Sequence, residues 1–303
     1  MRPRHLLLCL PLLVAACADT RAEAETPVAA TVVDDAGREV RLERTPVRVV
    51  SLIPATTEMV QALGAGDRLA ARTDYDHDPS LAHLPSVGQG LTPDLEWLLS
   101  IGTDLVVAWP DAQARSLVER LGTLGIPAYG ASLDRLENVF RTIRHLGTLL
   151  DLEEAADSLV RSIESEFSEV RAAVADRERP RVLYLVWFDP PRTAGPGSFI
   201  DEVIEIAGGE NVFGDAAAAW PQVSVEAIVA RDPDVIVLPY GESDASLDRV
   251  RAAPGWRDLR AVRDGRIYEV NADVFNRPGP RVGYLAREFA RMLHPDLFEE
   301  ETR

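Results

Sequence analysis

The chain of 303 residues contains no lysine, so all 32 of its fixed side-chain cations are arginines. Without lysine there can be no phosphate-loop lysine and no Schiff-base lysine, which excludes two kinds of enzyme chemistry. The 49 acidic residues give a formal net charge of −17. This excess argues against a nucleic-acid surface, because such a surface needs a basic stripe.

Motifs of catalysis are also missing. The chain has no Gly-x-Ser-x-Gly elbow, no His-Glu-x-x-His and no complete Gly-x-Gly-x-x-Gly. We therefore expect no enzyme activity, no cofactor and no metal centre. One alternative stays open, an exported metal-dependent hydrolase that uses the acidic segment around His77 and His83 as metal ligands.

Cysteine is nearly absent and occurs only at Cys9 and Cys17. Two arginines precede the apolar run Leu6–Leu13, which is too short to span a bilayer and is typical of a secretory signal peptide. The small residues that follow resemble a bacterial lipobox, so we expect residues 1–16 to be removed and Cys17 to be acylated. A plain signal peptide cut nearby is the alternative. Residues 17–30 then form a flexible tether on the periplasmic or cell-surface side of a bacterial membrane.

One helix–strand unit occurs twice in the chain. PDLEWLLSIGTDLVVAWP begins at Pro93, and QVSVEAIVARDPDVIVLPY begins at Gln222. Aligned without a gap, two acidic positions coincide, Glu96 with Glu226 and Asp104 with Asp234. Each copy predicts a short helix followed by a buried strand. Helix N-terminal preference explains either glutamate singly, but two copies predict two similar lobes with a matching carboxylate on each.

Strands and helices alternate around both copies, which predicts parallel sheets covered by helices. Between the copies, Leu152–Ala175 carries one apolar stripe and would form a helix of roughly 36 Å, too long for a crossover. The predicted fold is α/β, with two Rossmann-like lobes of mainly parallel sheet and a ligand cleft between them. The lobes comprise residues 31–150 and 179–303, joined by a rigid backbone helix in residues 151–178.

Three local signals predict where helices begin. Asp134 with Glu137 predicts a capping box for the helix that precedes the long one. Ser198 predicts the N-cap of a helix in the second lobe. Trp256–Ala261 predicts a short helix near the C-terminus.

Aromatic residues stand where predicted strands end: Trp109, then Trp187 with Phe188, and Trp220 just ahead of the second repeat copy. In parallel α/β sheets, ligands gather beyond the carboxyl ends of the strands. Tryptophan there suits a large flat ligand through stacking and desolvation. Each ring could instead cap the core of its own lobe, but the matching positions in both lobes favour a shared cleft.

These residues resemble the periplasmic substrate-binding proteins of ABC importers with a helical backbone, which serve cobalamin, haem and ferric siderophores. The resemblance spans residues 47–293. The motifs that carry it are RVVSLIPATTE from Arg48, the block Leu95–Trp109, GGENVF from Gly208, WPQVSVE from Trp220 and RPGPR from Arg277. Within the family, the Ala108-Trp109, Asp189–Gly195 and Trp220–Ser224 segments are most similar to the cobalamin receptors.

The resemblance implies a monomeric, non-enzymatic receptor that delivers cobalamin or a related corrinoid to an ABC permease dimer. Its ligand-binding residues would be Trp109, Trp187, Phe188, Trp220, Tyr75 and His77. Glu96 and Glu226 would dock onto permease arginines. Two departures leave haem or a ferric siderophore open as ligand. His77 replaces an expected tyrosine, and Gly88-Gln89-Gly90 replaces a tryptophan loop.

Overall fold

The structure is a computed structural model that describes residues 29–110, 112–241 and 246–297, without the side chains of residues 112–114. The predicted signal peptide, Cys17 and nearly all of the predicted tether lie outside these residues. No helix in the described part of the chain is long and apolar enough to cross a bilayer.

The first lobe contains a hairpin and a parallel sheet. The hairpin pairs β1 (Ala30–Val33) with β2 (Glu39–Leu42) in antiparallel orientation. The sheet has four parallel strands in the order β4-β3-β5-β6. These are β3 (Val49–Ser51), β4 (Leu69–Ala71), β5 (Leu105–Ala108) and β6 (Ala128–Gly130). The helices are α1 (Pro54–Ala62), α2 (Leu95–Ser100) and α3 (Ala112–Thr123).

Two helices lead out of this lobe, α4 (Leu136–Leu150) and the long α5 (Glu153–Val174). The second sheet follows. Its strands are β7 (Arg181–Phe188), β8 (Pro191–Thr193), β9 (Glu210–Asn211), β10 (Val235–Tyr240) and β11 (Ile267–Asn271). β7 pairs with β9 and β10, and β10 with β11, all in parallel; only β8 is antiparallel to its neighbour. The predicted α/β fold of mainly parallel sheet is confirmed.

The helices of the second half are mostly short. They are α6 (Phe199–Ile206), α7 (Val225–Arg231), α8 (Leu247–Ala252), α9 (Arg260–Arg263), α10 (Ala272–Phe275) and α11 (Val282–Leu293). α11 returns to pack against α5, which also packs against α4. The predicted backbone helix α5 is therefore the middle of a layer of three helices.

One apolar core runs through both lobes. Val49 of the first sheet and Val182 of the second are fully buried and belong to the same cluster of contacting side chains. Ile163 and Phe167 on the inner face of α5 belong to it as well. Because packed interiors deform little, this shared core holds the two lobes in a fixed relation.

The two repeat copies share their local geometry. The side chains of Asp94 and Ser224 cap α2 and α7 by accepting backbone N–H groups. Both helices are followed by a left-handed residue at matching positions, Gly102 (φ +68°) and Asp232 (φ +41°). The repeat seen in the sequence is thus a repeat in three dimensions.

The predicted capping box at α4 is wrong. α4 begins at Leu136, and its N-cap, Arg135, provides no side-chain cap. The Leu136 N–H instead donates to Glu202 Oε2 of α6 at 2.8 Å. A carboxylate from the second lobe therefore does what Asp134 was expected to do.

The predicted helix Trp256–Ala261 is also wrong, because the helix there is α9 and Trp256 is a core residue. Its ring is buried in a turn ahead of α9. The predicted N-cap of α6 is confirmed, since Ser198 Oγ accepts the Asp201 N–H at 3.2 Å.

Candidate functional site

A cavity of about 580 Å³ lies between the two lobes. On the first lobe it is lined by residues 52–55, directly after β3, and by Trp109, directly after β5. On the second lobe it is lined by Gly241, directly after β10, and by residues 276–278. Strands of both sheets therefore point their carboxyl ends at one cleft, which is where ligands of parallel sheets bind.

Exposed apolar side chains line this cleft. Trp109 is 37% exposed and Tyr75 is 38% exposed, and Leu91 extends the same surface. Large apolar groups exposed together in a concave site are the usual signature of a ligand pocket. Tyr75 and Trp109 are thus two of the predicted ligand-binding residues that the structure brings together.

The other predicted aromatic residues are placed differently, and the described lining of the cleft includes none of them. Trp220 packs on Phe199, with ring centroids 6.1 Å apart. Phe188 stacks on Trp256, with centroids 5.2 Å apart. Trp187 is exposed, and its Nε1 donates to the Asp189 carbonyl at 3.1 Å. A ligand role for these three remains a prediction.

His77 lies in a second groove of about 600 Å³ that shares Arg277 with the cleft. Its Nδ1 is 2.7 Å from Asp273 Oδ2 of the second lobe. No group of three or more His, Cys, Asp or Glu residues in the described chain is arranged to hold a metal ion. The hydrolase alternative, which requires such a group around His77 and His83, gains no support there.

Four charged residues, which we call the polar clasp, join the lobes at this groove: Glu58, Asp273, Arg277 and Arg281. Arg277 Nη2 donates to Asp273 Oδ1 and to the Tyr75 carbonyl, both at 2.5 Å. Its side chain is only 10% exposed. Within the described part of the chain, the hydrogen bonds of Arg277 and Arg281 all go to carboxylate or carbonyl oxygens, so both guanidinium groups are paired within the protein.

The cleft is consequently poor in available charge. Arg277 is the one charged side chain among its described lining residues, and it is held by the polar clasp. Gln89, Tyr75 and Asn276 supply the polar groups, although Asn276 Oδ1 already accepts the Tyr184 hydroxyl at 2.7 Å. This lining suits a large ligand that is neutral and rich in apolar surface and hydrogen-bonding groups.

Gly90 brings the loop that carries Gln89 and Leu91 against the floor of the cleft. Its φ is +81°, and a Cβ at this position would lie 2.5 Å from the Leu52 carbonyl oxygen. No side chain fits between the two backbones. The missing aromatic in Gly88-Gln89-Gly90 therefore reflects a loop that packs its backbone, not a ring, against the cleft.

Sequence reasoning missed Gln89, Leu91 and residues 276–278 as lining residues. The Arg277-Pro278-Gly279 turn signal, a few residues beyond β11, could have pointed to the last of these, because ligands bind beyond the carboxyl ends of parallel strands. Nothing in the local sequence distinguishes Leu91 from any other loop leucine.

Glu96 and Glu226 are both exposed, each as the second residue of its capped helix. The pKa of Glu226 is lowered by the hydrogen bond from its own backbone N–H and then by Ser224. Among the described residues neither glutamate forms an ion pair within the structure. Each lobe thus presents an exposed glutamate that has no ion pair among the described residues.

An uncharacterized ABC transporter substrate-binding lipoprotein of Bacillus subtilis, YvrC, is 29% identical, covering 97% of this chain and 97% of its own length. The vitamin B12-binding protein of Vibrio parahaemolyticus is 31% identical, covering 77% of this chain and 84% of its own.

Among solved structures, the periplasmic heme-binding protein RhuT from Roseiflexus sp. RS-1 has the same fold. It is 25% identical with a TM-score of 0.74, covering 82% of this chain and 98% of its own. Residues 49–274 match the family described as periplasmic binding protein. The matched range includes both parallel sheets and all of the described cleft lining except residues 276–278. The chain belongs to the periplasmic binding protein family.

Proposed function

We propose that this protein is the substrate-binding lipoprotein of an ABC importer and that it captures cobalamin or a related corrinoid between its lobes. The observation that carries the proposal is the apolar interlobe cleft, with the Trp109 and Tyr75 rings exposed and its single charged residue already paired. The similarity to a vitamin B12-binding protein and to an ABC substrate-binding lipoprotein supports it.

The chemistry of the cleft favours a corrinoid over haem. A corrinoid presents a broad apolar ring system edged by neutral amides, which matches exposed rings and the amides of Gln89 and Asn276. Haem carries two propionates, which need cationic partners when they are buried. Arg277, the one cation in the described lining, is held by carboxylates of the polar clasp.

Delivery of the ligand to the permease would depend on two exposed glutamates and on a lipid at the N-terminus of the mature chain. Glu96 and Glu226, one on each lobe, would pair with arginines of a permease dimer. Cys17 would carry the lipid that keeps this monomeric receptor beside the membrane. No chemical step is involved, because capture and release suffice for transport.

The test is calorimetric titration of the chain from residue 18 onward with cyanocobalamin, haemin and a ferric hydroxamate in parallel. We expect one-to-one saturation by cyanocobalamin at sub-micromolar concentration and no saturation by the other two. Saturation by the ferric hydroxamate alone would mean that the ligand is a ferric siderophore and not a corrinoid.

Haem has its own readout. If haemin binds and shifts the Soret band, and His77→Ala abolishes the shift, the ligand is haem held by His77, and the corrinoid proposal is wrong. The His77 imidazole is exposed, and only its Nδ1 contacts Asp273, so Nε2 is the nitrogen that would bind a haem iron.

A further inference from the structure

Each lobe exposes an aliphatic side chain one helical turn beyond the glutamate, Glu96 or Glu226, that has no ion pair among the described residues. Leu99 follows Glu96 on α2 and is 49% exposed. Val229 follows Glu226 on α7 and is 42% exposed. Residues three apart on a helix are neighbours on its surface. We call each pair, Glu96 with Leu99 and Glu226 with Val229, an acid–aliphatic patch.

The exposure is not needed by the fold. The residue before each aliphatic, Leu98 on α2 and Ile228 on α7, is fully buried and anchors its helix to the sheet. A single exposed leucine is ordinary. The same pattern at matching positions of a duplicated unit, each time beside an unpaired glutamate, indicates a surface that is used twice.

The presence of one acid–aliphatic patch on each lobe indicates which kind of partner binds there. Two like patches on one chain fit a partner that presents two like surfaces, as the subunits of a symmetric dimer do. The glutamates and the net charge of −17 call for basic residues on that partner. Leu99 and Val229 call for an apolar depression beside each of those basic residues.

We infer that Leu99 and Val229 are the apolar anchors of permease docking, each entering a depression on one subunit of the permease homodimer. This inference rests on the proposed function. The glutamates then steer and orient the encounter, and the aliphatic side chains slow dissociation once water is expelled.

Salt separates the two contributions. Contacts between exposed charges are screened as ionic strength rises, whereas burial of apolar surface is not. Each aliphatic side chain is about half exposed, so its burial corresponds to about a tenfold change in affinity. The two together predict about a hundredfold.

The experiment measures receptor binding by surface plasmon resonance to a permease–ATPase complex in lipid nanodiscs. The complex used is one that restores cobalamin uptake together with this receptor. Binding is measured in about 0.05 M and about 0.5 M NaCl, which shortens the screening length from about 14 Å to about 4 Å. The variants are L99S/V229S and E96Q/E226Q. The control is V33S/Y284S, which removes exposed apolar groups from β1 and α11.

We expect L99S/V229S to weaken binding about a hundredfold at both salt concentrations, with ligand affinity and melting temperature unchanged. The control should bind like the wild type, and E96Q/E226Q should lose affinity chiefly at low salt. If L99S/V229S binds like the control while E96Q/E226Q is weakened, the apolar anchors are wrong and the glutamate docking stands. If neither pair weakens binding, the docking face itself is wrong, and this inference falls with it.

Discussion

Arg281 and Glu58 form a two-bond ion pair that joins the lobes. Arg281 Nε donates to Glu58 Oε2 at 2.9 Å, and its Nη2 donates to Oε1 at 2.6 Å. Arg277 approaches the same carboxylate at 3.4 Å. Glu58 lies on α1 of the first lobe, and the two arginines precede α11. The polar clasp therefore ties the lobes beside the cleft.

Replacing Glu58 with glutamine should lower the free energy of unfolding by about 1–3 kcal/mol, because two arginines lose a charged acceptor that is 18% exposed. Chemical denaturation measures this. The matched control is Glu39→Gln, since Glu39 pairs with Arg41 at 3.5 Å with both side chains more than half exposed. That change should cost about 0.5 kcal/mol or less. Equal losses for both variants would mean that the polar clasp adds no stability.

Trp109→Ala should weaken cyanocobalamin binding by about tenfold to a hundredfold, because the largest exposed ring of the cleft is lost. Calorimetry measures it. Trp187→Ala removes an equally exposed tryptophan outside the described lining of the cleft. Its affinity should stay within about twofold of the wild type. A larger loss for Trp187→Ala than for Trp109→Ala would move the ligand toward the β7–β8 loop.

Gly90→Ala should destabilise the protein by more than Gly88→Ala, and it should also weaken ligand binding. Both glycines have positive φ, +81° and +71°, so each change carries about 1–2 kcal/mol of backbone strain. Only at Gly90 does the new Cβ also meet the Leu52 carbonyl; at Gly88 nothing lies within 4 Å. Thermal melts with and without cyanocobalamin compare the two. Indistinguishable variants would show that the loop does not press on the cleft floor.

Acid should destabilise the protein from about pH 6.5 downward. Burial lowers the pKa of both His145 and His294 in the folded protein, since desolvation disfavours the imidazolium. The unfolded chain then binds more protons just below its own histidine pKa, so stability falls as the pH falls through that range.

The measurement is the melting temperature between about pH 7.5 and 5.5, a range that spans the unfolded histidine pKa. His294→Asn should flatten the decline, whatever its effect on stability at neutral pH. An unchanged slope in His294→Asn would place the titrating group elsewhere.

Much of the fold could be predicted from the sequence because the patterns that specify each helix–strand unit are local and occur twice. Asp104 and Asp234, matched in the sequence alignment, both accept a backbone N–H from the chain entering the neighbouring central strand. The donors are Arg48 at 3.0 Å and Arg181 at 2.9 Å. A helix, a left-handed turn and an acidic strand start lie within one short segment, so their spacing is fixed by local geometry and survives in the sequence.

The aromatic residues show where such reading stops. A tryptophan or phenylalanine after a strand has the same local sequence whether it faces a ligand or the core. Trp109 lines the cleft. Phe188 instead stacks on Trp256, and Trp220 packs on Phe199. Tertiary packing, not the local sequence, determines these partners. The prediction for the start of α4 was wrong for the same reason, because the carboxylate that accepts the Leu136 N–H belongs to Glu202 in the other lobe.

The core shared across α5 also bears on how an importer would tell a loaded receptor from an empty one. With Val49, Val182 and Phe167 packed in one cluster, we expect the spacing of Glu96 and Glu226 to stay constant when the cleft fills. An empty receptor would then occupy the permease as readily as a loaded one. At a fixed supply of ligand, raising the amount of receptor should first speed uptake and then inhibit it, so the abundance of the receptor becomes a control on transport.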